Sequence, residues 1–142
     1  MKRVIITPLN WGLGHAARIS SIIDYLIEEN YELVVASDGE ALEFLRANFG
    51  SAIMAFEELP PYNVRYNKKN VTLALWHQWP HILKAIRAEY RTAQKLVKKY
   101  QPDWILSDNR FGVRTRACPS VILSHQINLV TNYTWLNPIA SA

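Results

Sequence analysis

The fold is decided by the stretch Arg3-Val4-Ile5-Ile6-Thr7-Pro8-Leu9-Asn10-Trp11-Gly12-Leu13-Gly14-His15-Ala16-Ala17-Arg18. Its opening run, residues 3–7, is mostly β-branched and apolar, which is typical of a strand buried on both faces. From His15 to Glu29 the apolar residues recur with the period of a helix. A strand, a glycine-containing turn and a helix in this order predict the first unit of a parallel α/β sheet.

The turn between this strand and this helix is suited to bind an anionic group. Backbone N–H groups at a helix N-terminus point outward, and the helix dipole favours negative charge there. Gly12 and Gly14 let the backbone approach a ligand where a Cβ would block it. The glycines also fit a merely tight turn, but His15 beside them adds a titratable base and favours a functional site.

The rest of the chain continues the alternation of strands and helices. Helices are predicted over 39–49 and, after a loop that reaches about Asn70, in a long helix that is broken or started at Pro80 and runs to about Tyr100. Strands are predicted over residues 31–37, 51–56, 103–107 and 120–124. This order implies parallel pairing with right-handed crossovers. We therefore predict one α/β domain of 142 residues, a Rossmann-like doubly wound parallel sheet in three α/β/α layers.

The net charge of +4 is unevenly distributed. Residues 1–60 sum to −5, residues 61–100 to +8 and residues 101–142 to +1. The last predicted helix has an apolar side, with Ile82, Leu83, Ile86, Tyr90, Ala93, Val97 and Tyr100. Its other side carries Lys84, Arg87, Arg91, Lys95 and Lys98. With Trp76 and Trp79 nearby, residues 65–99 fit peripheral contact with an anionic membrane, although such a stripe is also typical of a solvated face. The sequence contains no nucleic-acid module, and we expect no nucleic-acid partner.

The cysteine count, the hydropathy of the chain and the spacing of two histidines predict the cellular compartment and whether a metal ion is bound. Cys118 is the single cysteine, which favours a reducing compartment. With no signal-peptide pattern and no apolar run near the ~20 residues of a membrane span, we expect a cytoplasmic protein that can reach the inner face of the membrane. His77 and His81 have the spacing of a zinc-binding helix, but Gln78 replaces the glutamate of a metalloprotease. Pro80 is expected to keep His77 outside the helix, so no metal site is predicted.

Polar residues gather where four of the predicted strands end. In a doubly wound sheet, ligands bind outside these carboxyl ends, which share one edge. The groups are Asn10–His15, Ser37-Asp38, Ser107-Asp108-Asn109-Arg110 and Ser124-His125-Gln126.

Each group also has a structural interpretation. Asp108-Asn109 fits an Asx turn, and His125 fits a partner for a backbone carbonyl. For Asp38 we favour the N-cap of the following helix over a ligand role.

Three segments resemble the N-terminal domain of GT-B glycosyltransferases, in the bacterial branch related to the peptidoglycan N-acetylglucosaminyltransferase and to UDP-glycosyltransferases. They are Pro8–Arg18, Ser107–Gly112 and Ser124–Gln126, and the order of elements matches over nearly all 142 residues. The resemblance implies that residues 1–142 form the acceptor domain. The C-terminal domain that binds the nucleotide-sugar is then absent from this sequence and is supplied by a longer chain or a separate subunit.

The resemblance also implies roles for individual residues in a hexosyltransferase. His15 would deprotonate the acceptor hydroxyl and Asp108 would orient it, with no cofactor or metal besides a nucleotide-sugar such as a UDP-sugar. The substrate would be bound by Asn10, Gly12, Gly14, Arg18, Asn109, Arg110 and His125. Asn10-Trp11 replaces part of the glycine-rich loop of the peptidoglycan branch, which argues against a polyprenyl-diphosphate among lipid-linked acceptors. Alone, the chain is expected to be inactive as a transferase.

Two other functions stay open. Residues 12–17 also fit the dinucleotide fingerprint G-x-G-x-x-G/A, and Asp38 stands where an NAD(P)-binding domain keeps its ribose-binding acid. Against this, Pro8–Trp11 separate the strand from the first glycine, which normally follows it at once. The second alternative is a non-catalytic basic domain that binds an anionic membrane surface.

Overall fold

The computed structural model describes residues 1–61 and 71–124, without the side chains of residues 71–79 and 81–82. The strands are β1 (Arg3–Pro8), β2 (Glu32–Ser37), β3 (Ala55–Glu58), β4 (Trp104–Asp108) and β5 (Ser120–Leu123). The helices are α1 (Leu13–Glu28), α2 (Gly39–Phe49) and α3 (Val71–Tyr100). All pairings are parallel, in the order β3-β2-β1-β4-β5. The predicted doubly wound sheet is confirmed.

Two hydrophobic cores cover the two faces of the sheet. On one face α1 and α2 contribute Ile19, Ile23 and Leu45 against Val4 and Ile6 of the central strand. On the other face α3 packs Ala93, Leu96 and Val97 against Ile5 and Ile105. Successive residues of β1 point to opposite faces, so both sides of this strand are buried, as its continuous apolar run predicts. The result is three layers, α/β/α.

The start of β3 differs from the prediction by four residues. The backbone N–H groups of Ala52 and Ile53 both donate to the carbonyl of Phe49, at 2.9 and 3.1 Å. These bonds wrap the chain around the end of α2, and Ile53 is buried in the core. Pairing with β2 therefore begins only at Ala55.

Helix α3 begins at Val71, close to the predicted end of the preceding loop, and contains Pro80 in its interior, where the sequence predicted a break or a start. Proline removes one N–H and disturbs one turn, but the helix continues on both sides, so the argument that placed His77 outside a helix is wrong. The side chains of His77 and His81 lie outside the described residues. No helix in the described part of the chain is long and apolar enough to cross a membrane.

The inward face of α3 also differs in detail from the prediction. Leu83 and Tyr90, which periodicity assigned to the apolar side, are 37% and 41% exposed. Glu89 points inward instead and is completely buried. The cause lies outside the helix, because Arg110 provides Glu89 with a buried partner of opposite charge.

Candidate functional site

The candidate site lies at the carboxyl edge of the sheet, between β1 and β4. The chain winds from β1 towards β3 on one side and from β4 to β5 on the other, so the winding reverses between these central strands. Such a reversal opens a crevice in which α/β proteins bind ligands. Pro8 pairs with Asp108 at the last register position, which brings the two following loops together.

Gly12 and Gly14 differ in whether the structure requires a glycine at that position. Gly12 precedes α1 with φ 77° and ψ 169°, a conformation that is essentially restricted to glycine. Gly14 lies within α1, and a Cβ there would meet no described atom within 4 Å. The backbone therefore requires Gly12, whereas packing of the described residues does not require Gly14.

His15 and Asp108 form the central contact of the site. His15 is in the first turn of α1, with its side chain 11% exposed, and its Nδ1 lies 2.9 Å from Oδ2 of Asp108. Asp108 ends β4 and is completely buried. An ionised carboxylate only accepts hydrogen bonds, so this contact assigns the proton to Nδ1 and the lone pair of the neutral ring to Nε2.

Arg18 completes the contact from the next turn of α1. Its Nη2 donates to Oδ1 of Asp108 at 2.5 Å and lies 3.2 Å from Nδ1 of His15. Arginine is a donor only, so with Nδ1 donating to Asp108, the approach of Arg18 to His15 is not a hydrogen bond. Arg18 therefore balances the buried carboxylate, while its own side chain is 41% exposed.

The side-chain amide of Asn10 connects the loop after β1 to the start of α2. Its Oδ1 accepts from the backbone N–H of Ala41 at 3.2 Å, and its Nδ2 donates to Oδ2 of Asp38 at 3.3 Å. Asp38 occupies the N-cap position of α2, as favoured from the sequence, but makes no side-chain capping bond. Asn10 supplies that bond from the neighbouring loop.

Arg110 lies beneath the rim and is completely buried. Its Nη1 donates to Oε1 of Glu89 at 2.8 Å, its Nε to the carbonyl of Pro8 at 3.0 Å, and its Nη2 contacts Oδ1 of Asp38. Burial lowers the pKa of the guanidinium to about 10, which leaves it charged at neutral pH. These internal contacts favour a structural role over the predicted substrate contact.

Sequence reasoning missed Glu89. It is the single acidic residue among nine basic ones in residues 61–100, and it stands on the helix face that also carries Ala93 and Val97. That combination is a usable signal, since a lone carboxylate on an apolar face requires a buried partner.

The remaining predicted positions have diverse surroundings. Asn109 has φ 56°, a left-handed conformation that asparagine tolerates better than most residues, and its N–H donates to the carbonyl of Leu123. Trp11 in the loop before α1, Leu13 at the start of α1 and Phe111 in the loop after β4 are 44%, 46% and 54% exposed. His125 lies outside the described residues.

No protein-family model and no curated protein matches the sequence. Solved structures do match its fold. SsfS6, a glycosyltransferase of Streptomyces sp. SF2575, is 16% identical with a TM-score of 0.61, over 99% of this chain and 43% of SsfS6. The glycosyltransferase SnogD of Streptomyces nogalater is 17% identical with a TM-score of 0.56, over 87% of this chain and 33% of SnogD.

The same architecture also occurs outside glycosyltransferases. The C-terminal domain of the PF1911 hydrogenase of Pyrococcus furiosus is 9% identical, with a TM-score of 0.56 over 85% of this chain and 89% of that domain. Likeness at these identities shows the fold alone: a Rossmann-like α/β unit similar to one half of a GT-B glycosyltransferase. The chain spans less than half the length of the two glycosyltransferases. The fold therefore does not by itself identify the function of this chain.

Proposed function

We propose that this chain is the acceptor-binding half of a glycosyltransferase, with His15 as the general base and Asp108 as its orienting carboxylate. The observation that carries the proposal is the 2.9 Å contact between these two residues, which are 93 positions apart in the sequence. A buried carboxylate on one ring nitrogen fixes the orientation and tautomer of the imidazole, which suits the other ring nitrogen to proton abstraction.

The proposed reaction uses Nε2 of His15. With Nδ1–H donated to Asp108, Nε2 removes the proton of the acceptor hydroxyl while the oxygen attacks the anomeric carbon of the sugar. The bond between that carbon and the nucleotide diphosphate breaks, and the leaving group keeps the electron pair. The imidazolium is stabilised by Asp108 until its proton passes to solvent or product. The nucleotide-sugar is the co-substrate, and the proposal includes no metal ion or cofactor.

The surroundings of His15 suggest how an acceptor would bind. The exposed side chains of Trp11, Leu13 and Phe111 lie within four residues of His15 or Asp108 in the sequence, and they suit an acceptor with an apolar face. The backbone at Gly14 is open to close approach, which suits a phosphate of the donor or acceptor. A donor-binding half, as a further domain or a second subunit, would complete the crevice.

Two observations speak against the NAD(P)-binding alternative. The third small residue of the dinucleotide fingerprint packs its helix closely on the sheet. Here that position is Ala17, which is exposed, while Ala16 is the buried residue. In addition, Asp38 is engaged by Arg110 and Asn10 and is only 8% exposed.

The proposal is tested by sugar transfer from a labelled nucleotide-sugar to a panel of hydroxylated apolar acceptors. The chain is supplied together with a donor-binding half, as one polypeptide or as two. We expect no transfer by the isolated chain, and His15→Ala to lower the rate of the complete enzyme by about 10²–10⁴-fold, the usual contribution of a general base. Asp108→Asn should also lower the rate, because an amide can stabilise the wrong tautomer.

The matched control is Glu43→Gln, an exposed carboxylate paired with Arg46 on α2. Transfer by this variant should equal that of the wild type. A rate unchanged by His15→Ala would rule out His15 as the base, and vigorous transfer by the isolated chain would rule out the need for a second half.

A second, compatible proposal concerns the outer face of α3. Lys84, Arg87, Arg91, Lys95 and Lys98 are all exposed on this helix. Leu83 and Tyr90 are exposed among them, so the surface combines positive charge with apolar anchors. We propose that it contacts anionic lipid at the inner face of the membrane, where a lipid-linked acceptor would be reached.

A further inference from the structure

A buried ionic cluster lies directly beneath the candidate site. Arg110 and Glu89 are completely buried, and Asp38 is 8% exposed. Removing such charges from water costs several kcal/mol per ion, and their mutual attraction often does no more than offset that cost. The cluster is therefore poorly explained as a source of stability alone.

The guanidinium of Arg110 joins three elements. It donates to Glu89 on α3, contacts Asp38 after β2, and donates to the carbonyl of Pro8 at the end of β1. Arg110 itself stands two residues after Asp108. One planar group thus connects the β4 loop to the strand that leads to His15.

Glu89, on α3, binds the loop that follows β4 at two points. Its Oε1 accepts from Arg110, and its Oε2 accepts from the backbone N–H of Gly112 at 2.9 Å. The loop lies so close to α3 that a Cβ on Gly112 would stand 2.5 Å from Oε2 of Glu89 and 2.6 Å from the carbonyl of Ile86. Arg110 and Gly112 both donate, and each donates to a different oxygen of the carboxylate, so both oxygens of Glu89 are needed as acceptors in this arrangement.

The cluster extends to the first loop through Asp38. One oxygen of Asp38 contacts Arg110, and the other accepts from Asn10 at 3.3 Å. Asn10 in turn is bound to the N–H of Ala41. The loop that leads from β1 to His15 and the loop that follows Asp108 are therefore both connected to the same buried cation.

We propose that Arg110 and Glu89 are positioning residues that set the contact between His15 and Asp108. Their described hydrogen bonds and ion pairs join Pro8, Asp38 and Gly112, and they act by fixing the loop after β1 relative to the loop after β4. Their importance for catalysis rests on the proposed function, whereas their effect on the contact is a property of the fold that can be measured without any substrate.

The test is Glu89→Gln, observed by NMR of the histidine ring nitrogens and their protons. A glutamine amide has an NH2 group, itself a donor, in place of one carboxylate oxygen, so in the observed arrangement it faces either Arg110 or Gly112 with a second donor. We expect the ring Nδ1–H of His15 to exchange with solvent about tenfold faster than in the wild type, as when a charge-assisted hydrogen bond is weakened. The His15 signals are assigned by their absence in His15→Asn.

The matched control is Glu32→Gln, the same chemical change in the pair between Arg3 and Glu32 near the opposite edge of the sheet. It should leave the His15 signals unchanged. If Glu89→Gln does not fold, Arg110→Lys serves instead, because it keeps the positive charge but one ammonium cannot reproduce the fork that reaches three acceptors.

Wild-type exchange of the His15 ring proton in the folded variant would overturn the proposal. So would an equal acceleration in Glu32→Gln, since the effect would then be general destabilisation. Exchange could be accelerated only in the Glu89 or Arg110 variant while the complete wild-type enzyme transfers no sugar. That combination would support the positioning role and refute the proposed function.

Discussion

Gly12, Gly14 and Gly39 are three glycines of the site region with different reasons to be glycine. Gly12 and Gly39 have φ of 77° and 51°, in the left-handed region that side chains with a Cβ avoid. At Gly39 a Cβ would also stand 2.3 Å from Nδ2 of Asn10. Gly14 has neither constraint among the described residues, so their packing does not require a glycine there.

This difference predicts opposite effects of two alanine substitutions. Gly14→Ala should raise the free energy of unfolding by about 0.5 kcal/mol, because alanine is the better helix former and its methyl group has space. Gly39→Ala should lower it by about 1–2 kcal/mol, the cost of a left-handed alanine. Urea unfolding of both variants measures these changes. A destabilised Gly14→Ala would show that the fold itself requires this glycine.

The residues at the carboxyl edge were predicted with uneven success. The sequence placed His15 and Asp108 at the same edge, because parallel strands end together, and the structure brings their side chains into contact. The inward direction of Arg110 was not predictable in the same way. Its burial depends on Glu89 and Asp38, which lie 21 and 72 residues away, and no local pattern reports such partners.

At the scale of elements, periodicity identified each helix but not each boundary. The residues of α1 and α2 were predicted closely, because their apolar spacing and adjacent turns are local signals. Helix α3 runs through Pro80, where a break or a start was predicted, since proline disfavours a helix without excluding one. Its polar face was predicted correctly, while its inward face includes Glu89, which hydrophobicity alone assigns to solvent.

The basic face of α3 predicts binding to anionic vesicles. The chain should sediment with phosphatidylserine-containing vesicles at low salt and be released at high salt, because screening weakens exposed charges. Replacing Lys84, Arg87 and Arg91 by glutamine should weaken binding about 10²-fold, at about 1 kcal/mol for each charge near the surface.

The control for this experiment replaces Lys2 and Arg46 by glutamine, two exposed cations of the first 60 residues. It should retain nearly all of the binding. Equal losses in both variants would indicate attraction by net charge, and the absence of salt-sensitive binding would remove the membrane proposal.

At the scale of the whole molecule, the layers are joined by a pair of side chains at the end of α3. Lys99 donates to Oε1 of Glu57 on β3 at 2.7 Å, and the hydroxyl of Tyr100 contacts the same oxygen. These two bonds lower the pKa of Glu57 below its ordinary value of 4.5. The folded protein therefore holds the Glu57 carboxylate in its charged form more strongly than the unfolded chain does.

This shift predicts the sign of one pH effect on stability. A lowered pKa contributes stability that is present above pH 4.5 and is lost as the pH falls through the folded-state value. We expect the urea midpoint of Glu57→Gln to lie below that of the wild type at pH 7, and the difference to shrink towards pH 2.5. The exposed pair of Glu43 and Arg46 provides the comparison, because Glu43→Gln should change little. A difference that grows at acid pH would contradict the assignment.

The sequence by itself determined the α/β class, the parallel winding and the edge at which polar residues gather. These properties depend on short-range periods and turn residues, whose physical causes act within a few positions. Only the tertiary structure decided that His15 contacts Asp108, that Asn10 caps α2, and that Arg110 points inward to Glu89. Each of these outcomes depends on a partner that the chain supplies 21 to 93 residues away, and burial of a charge is tolerable only where such a partner arrives.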